Sequence, residues 1–151
     1  MYQFRLARQS DLVTIVRLLA DDDLGNAREI VSDPVDARYL SAFAAIEADP
    51  NQLLAVAIDA SDRVVGCLQL SFIPGLSRTG MWRGQIESVR VARDVRGSGL
   101  GSAFIEWAIG ECAARGCGLV QLTSDKTRAD SIRFYERLGF VASHEGLKRT
   151  L

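Results

Sequence analysis

The sequence predicts a single mixed α/β domain over residues 1–151, of the α+β kind, with helices flanking a mostly antiparallel central sheet. Three observations carry that prediction. Two segments before residue 50 space their apolar residues at helical intervals. Residues 53–91 then read as consecutive strands joined by turn chemistry. Near the C-terminus a strand enters a glycine-rich loop, a helix and a further strand.

Tyr2–Ala7 reads as the first strand. Ser10 is placed to cap a helix, with Asp11 as the acid of its first turn. Val13, Val16 and Leu19 then fall on one face, beside Leu12 and Ile15. Residues 21–32 are polar and irregular. Asp33-Pro34 predicts an N-cap followed by proline at the first helical position. Tyr39, Leu40, Phe43 and Ile46 form the stripe of that second helix, which Asp49-Pro50-Asn51 ends.

Leu53–Ile58 and Val64–Phe72 form a predicted hairpin around Ala60-Ser61-Asp62, with Gly66 marking a bulge. Residues 73–80 form a loop, and Met81–Val91 is a third long strand. Residues 92–99 turn the chain into a helix over Leu100–Arg115. Phe104, Ala108 and Cys112 share its buried face, and Gly116 caps it. Leu119–Thr123 is a short buried strand, and Ala129–Leu138 a last helix ended by Gly139. Phe140–Ser143 and Leu147–Leu151 are expected to form a final strand or hairpin.

Composition narrows the function classes. The chain is 48% apolar and 25% charged with a formal net charge of −1, so it has no overall basic footprint for nucleic acid or an anionic membrane. No apolar run reaches membrane-spanning length, and Met1–Arg5 does not open a signal peptide. Cys67, Cys112 and Cys117 are expected to be reduced, packed thiols of a cytoplasmic protein. No His or Cys group has ligand spacing, so no metal is expected, and His144 reads as a surface or strand-end residue.

The chemistry concentrates in Val89–Ser102. Glycines at 97, 99 and 101 remove alternate side chains, which lets backbone N–H groups approach a bulky anion. The following helix directs its positive end to the same place, and Arg93 and Arg96 add charged donors. The segment therefore suits a diphosphate. It lacks the Gly-Lys-Ser/Thr ending of a Walker loop. It also fails the dinucleotide pattern, which needs glycine where Ser102 stands.

The pattern it satisfies is Arg-x-x-Gly-x-Gly, through Arg96, Gly99 and Gly101, between a strand ending Val89-Arg90-Val91 and an amphipathic helix. With Phe134-Tyr135-Glu136-Arg137-Leu138-Gly139-Phe140 and the order of elements, the chain resembles the GNAT superfamily of N-acetyltransferases along nearly its whole length. That resemblance implies acetyl-CoA as co-substrate and a V-shaped splay between the two central strands. It implies that Arg96, Gly97, Ser98, Gly99, Leu100, Gly101 and Ser102 hold the coenzyme pyrophosphate, and that the backbone of Val89 and Val91 holds the pantetheine arm. It makes Tyr135 the acid that protonates the leaving thiolate.

For the attacking amine, Glu87 is the candidate base. Strand alternation places it on the face of Val89 and Val91, where apolar neighbours would raise its pKa. A structural ion pair with Arg78 or Arg83 is the other reading. Where the family often has asparagine, this chain has Arg128. Ser124 or Thr123 then takes the pantetheine contact, or Lys126 and Arg128 reach the coenzyme 3′-phosphate. The resemblance also implies an acceptor that is a primary amine of a small molecule or peptide, with its specificity set by residues 21–32 and 73–85. Asp21, Asp22, Asp23 and Glu29 in the first segment would attract a cation, whereas Arg78 and Arg83 in the second suit a carboxylate. A homodimer through Trp82 or the last strand is open, as is the alternative of a non-catalytic coenzyme A-binding sensor.

Overall fold

A computed structural model describes residues 1–22 and 24–151. Five strands form one sheet in the order β1 (Gln3–Leu6), β2 (Gln52–Ile58), β3 (Val64–Ile73), β4 (Arg83–Val91) and β5 (Leu119–Leu122). β1 to β4 pair antiparallel, while β5 lies parallel to β4. Helices α1 (Leu12–Ala20) and α2 (Ala37–Ala48) cover one face. Helix α4 (Leu100–Ala114) covers the other, and α5 (Ala129–Arg137) follows β5. α3 (Ser77–Gly80) is a single turn in which Arg78 and Thr79 take left-handed backbone angles.

Strand alternation divides the core in two. Leu53, Ala55 and Ala57 of β2 face α4 together with Leu68, Leu70, Phe72 and Ile86. Val56 and Ile58 face α1 and α2 together with Cys67, Ile15 and Phe43. Phe4 stacks on Phe104 with centroids 4.9 Å apart, which fixes α4 across β1. Gly84 brings α4 close to β4, because a Cβ there would collide with the Cys112 side chain. Cys67 and Cys112 are fully buried, and burial pushes their thiols up to about 12 and about 11.

Three local expectations are corrected, and one is extended. Ser10 caps nothing, since Gln9–Asp11 is a 3₁₀ turn and the helix begins at Leu12. Asp11 organises that corner by accepting from Arg8 N–H at 2.7 Å and from both Arg5 Nη atoms at 2.7 and 3.1 Å. Asp33-Pro34 does not open α2. The cap is Asp36, whose carboxylate accepts from Arg38 N–H at 2.9 Å. The bulge beside Gly66 is present, but a second register shift lies between Cys67 and Gln69, opposite Glu87–Arg90. Residues 140–151 form no strand. Val141, Leu147 and Leu151 are 80%, 93% and 113% exposed, so no packed face holds them in a sheet. Among the described residues no helix is long and apolar enough to cross a membrane.

Candidate active site

The site begins where the β4–β5 ladder stops. Pairing runs from Arg83 opposite Leu119 to Ile86 opposite Leu122, yet β4 continues to Val91 against β3. From Glu87 onward β4 therefore has a neighbour on one side only, which is the expected V-shaped splay. Ala92 N–H donates to Val65 at 2.8 Å on the β3 side. Alternation then turns the backbone groups of Val91 and Val89 toward the opening. Arginine side chains meet both carbonyls there: Arg90 Nη1 donates to Val89 O at 2.9 Å, and Arg96 Nε to Val91 O at 3.0 Å.

β4 leads through a 3₁₀ turn at Arg93–Val95 into the glycine loop. Gly97 and Gly99 have φ of +79° and +84°, and a Cβ on either would meet nothing within 4 Å. The loop is thus open and left-handed at both positions, a conformation glycine adopts without penalty. Gly99 caps α4 with no side-chain hydrogen bond. The first-turn amides at Leu100, Gly101 and Ser102 have no partner within the helix and lie at its positive end. Gly101 sits 3.5 Å, measured from an ideal Cβ, from Phe134 of α5. Tyr2, just before β1, supports the loop, its hydroxyl 3.2 Å from Ser98 Oγ.

The second bulge changes the reading of Glu87. Ser88 has φ +56° and shifts the strand by one residue. Beyond it, Val89 and Val91 pack with the α4 core, as Ile86 does, whereas Glu87 faces the opposite side. Glu87 therefore does not share a face with Val89 and Val91, and it is exposed rather than set among apolar side chains. It has no ion pair among the described residues, so the pairing with Arg78 or Arg83 is absent there.

Tyr135 lies on α5 between Phe134 and Phe140, whose centroids are 5.1 and 5.8 Å away, both in edge contact. Burial raises the pKa of its phenol, and nearby Arg90 and Arg128 offset this only in part. It is half-buried and protonated at neutral pH. Ser124 follows β5 and is half-buried.

Two acids reorganise the arginines. Asp21 pairs with Arg93 at 2.7 Å and Arg96 at 3.6 Å. Asp22 pairs with Arg128 at 2.8 Å and Arg90 at 3.1 Å and also accepts from Gly25 N–H. Arg128 is thus joined to the opening through Asp22. Glu29 is likewise engaged, accepting from Tyr39 Oη at 2.7 Å. Asp21 and Asp22 are thus held in ion pairs with arginines, while Glu29 lies 3.8 Å from Arg28 besides its bond to Tyr39. Asp23, read with them, lies outside the described residues. The role of Asp21 and Asp22 as a tie between the first helix and the loop has no local sequence signal, because the partners lie about seventy to over a hundred residues away.

Burial pushes the Asp22 carboxyl up, but Gly25 N–H, Arg128 and Arg90 outweigh it and hold the pKa at about 2, below 3.8. With its folded value depressed, Asp22 contributes stability that is complete above the unfolded pKa and lost as pH falls toward about 2. Acid titration of the native protein should show a loss of about 2 kcal/mol through this window, and Asp22→Asn should flatten it. Equal slopes in the two proteins would contradict the assignment.

Comparison with known proteins settles the family. The model of the acetyltransferase (GNAT) family matches residues 15–140. This chain belongs to the GNAT acetyltransferase family. The GNAT chain is 32% identical to an aminoalkylphosphonate N-acetyltransferase of Salmonella typhimurium over 117 residues, 77% of this chain and 75% of that one. It is 30% identical to a glucosamine 6-phosphate N-acetyltransferase of Trypanosoma brucei brucei, over 94% of this chain and 99% of that one. A solved Bacillus halodurans C-125 protein, described as a transcriptional regulator, superposes with a TM-score of 0.96 at 46% identity, covering both chains fully. The GNAT assignment and the two N-acetyltransferase relatives make the chain an N-acetyltransferase.

Proposed function

We propose that this GNAT enzyme transfers the acetyl group of acetyl-CoA to a primary amine of a small molecule or peptide by direct attack within a ternary complex. The observation that carries this reading is the end of the β4–β5 ladder at Ile86 and Leu122, from which unpaired β4 leads directly into the left-handed Gly97–Gly99 loop. A strand edge with no neighbouring strand, its Val89 and Val91 carbonyls met only by arginine side chains, is thereby continuous with a helix terminus suited to an anion.

In this reading the pantetheine arm takes the free edge at Val89 and Val91. Arg96, Gly97, Ser98, Gly99, Leu100, Gly101 and Ser102 receive the pyrophosphate, with Arg96 exchanging Asp21 for phosphate oxygens. Ser124 lines the far side of the opening, and Arg128 braces it through Asp22. Acetyl-CoA supplies the activated thioester. The amine nitrogen bonds to the carbonyl carbon as the carbon–sulfur bond breaks. Glu87, exposed where the splay begins, takes the amine proton directly or through water. Tyr135 gives its phenolic proton to the leaving sulfur.

Direct attack is favoured because the cysteine beside the bulge is unsuited to carry an acyl group. Cys67 Sγ lies 3.7 Å from Ser88 O, and its buried thiol, pushed up to about 12, is not ionised at neutral pH. Initial-rate kinetics with both substrates varied should give intersecting double-reciprocal lines. Parallel lines would indicate an acyl-enzyme and overturn the ternary mechanism.

The assembly proposed is a homodimer in which residues 140–151 of each copy lie along the β5 edge of the other. β5 is the last strand of the sheet, while the apolar residues of the C-terminal segment are exposed in the single chain. Symmetric exchange would satisfy both. Light scattering after gel filtration should give twice the chain mass, and deletion of residues 141–151 should give a monomer. A full-length monomer at micromolar concentration would refute the exchange.

A further inference from the structure

β3 and β4 are buried and apolar on the α4 side, through Leu70, Phe72 and Ile86. Their alternate residues carry a hydrogen-bonded polar array on the other side. Gln52, Ser71, Gln85 and Gln121 are successive register partners across β2, β3, β4 and β5. Gln52 Oε1 accepts from Ser71 Oγ at 2.9 Å and from Gln69 Nε2 at 3.1 Å. Gln85 Oε1 accepts from Gln121 Nε2 at 2.7 Å. One row closer to the splay, Gln69 stands opposite Glu87. In the row beyond, Val56 and Cys67 are again apolar and lie beneath α1 and α2.

The array therefore borders the part of the sheet that those helices cover, where Leu54 beside Gln69 still packs with them, and it ends at the opening of β4. Its members are uncharged except at the two ends of one β4 face. Glu87 is at the splay, and Arg83 is four residues back, about 13 Å along a regular strand. Among the described residues neither has an ion-pair partner. Arg83 is half-buried, with its guanidinium beside Gly75.

Resting on the function proposed above, we infer that this array is the acceptor subsite and that it selects a hydroxylated primary amine bearing a terminal oxyanion. The amine lies at Glu87, where acetyl transfer occurs. Hydroxyl groups, which both donate and accept, match the side-chain amides of Gln69, Gln85 and Gln121. Arg83, with a planar fork of donors, takes the oxyanion at the far end. A polyamine finds a positive charge at Arg83 and is disfavoured.

The test is thiol release from acetyl-CoA with glucosamine 6-phosphate, glucosamine, spermidine, 3-aminopropylphosphonate and 4-aminobutyrate. kcat/KM for glucosamine 6-phosphate should exceed that for glucosamine by about tenfold or more, the effect of one charge-assisted bidentate contact. Arg83→Gln should bring that ratio toward one, and Arg83→Lys should restore part of it, while the Kd for acetyl-CoA measured by calorimetry stays at the wild-type value. The phosphonate and the carboxylate, which lack hydroxyls, should both be poorer than the sugar phosphate. Preference for spermidine, equal rates for the two sugars, or a ratio that survives Arg83→Gln would overturn the assignment. So would acetyl-CoA binding with no thiol release from any of these amines. Failure to bind acetyl-CoA would instead overturn the reading beneath it.

Discussion

Gly99→Val is expected to raise the Kd for acetyl-CoA by at least about a hundredfold. Gly99 has φ +84°, where a residue with a Cβ loses about 1–2 kcal/mol and a β-branched one more. Two consequences add on the ligand side. The isopropyl group would project into space where no protein atom lies within 4 Å, the space through which the loop amides reach a diphosphate. Relaxation of φ would also turn those amides away from their common focus. The protein itself suffers no collision, so folding should survive with a modest fall in Tm. Gly101→Ala is the internal contrast. That position is helical, and its Cβ would meet Phe134 at an ordinary 3.5 Å. Its effect on Kd should stay below about tenfold, because only a methyl is added to a conformation that alanine favours. Calorimetric titration of both variants checks the pair, and similar affinities in Gly99→Val and wild type would remove the loop from the cofactor site.

Tyr135→Phe should lower kcat by about 10²–10³-fold while leaving acetyl-CoA affinity near its wild-type value. The substitution retains the ring, and with it the edge contacts to Phe134 and Phe140 that hold the end of α5. Only the proton source is lost. Because the native phenol has its pKa raised above the ordinary value of 10.0, it remains protonated throughout the neutral range. Wild-type kcat should therefore show no alkaline loss from this group between about pH 7 and 9. Pre-steady-state measurement of the acetyl-transfer step separates the chemical effect from product release. An unchanged rate for that step would make Tyr135 a packing residue.

The conformation of the glycine loop is legible in the sequence because its information is local. Three alternating glycines, a flanking arginine and a following amphipathic helix lie within a few residues of one another, and the backbone takes the conformation those residues favour. The same holds for the helix ending in Tyr135 and for the alternation that divides the sheet into two cores. The face of Glu87 is less legible because period-two counting assumes an unbroken strand. Ser88 at φ +56° breaks it, and nothing in Glu-Ser-Val announces a bulge. Asp21 and Asp22 show a second limit. As a run of acids they suggested a site for a cation, but the fold brings Arg90, Arg93, Arg96 and Arg128 to them. The final strand failed for a third reason. Its pattern supports a strand, yet Val141, Leu147 and Leu151 find no packed face in the single chain, and residues 140–151 leave the β5 edge unpaired.

The most direct test of the central claim is calorimetric titration of acetyl-CoA into the intact protein, followed in the same preparation by assay of free thiol on addition of amines. Saturable binding at one site per chain, with thiol released in proportion to acetylated amine, is the result this account predicts. No detectable binding of acetyl-CoA at millimolar concentration would contradict it.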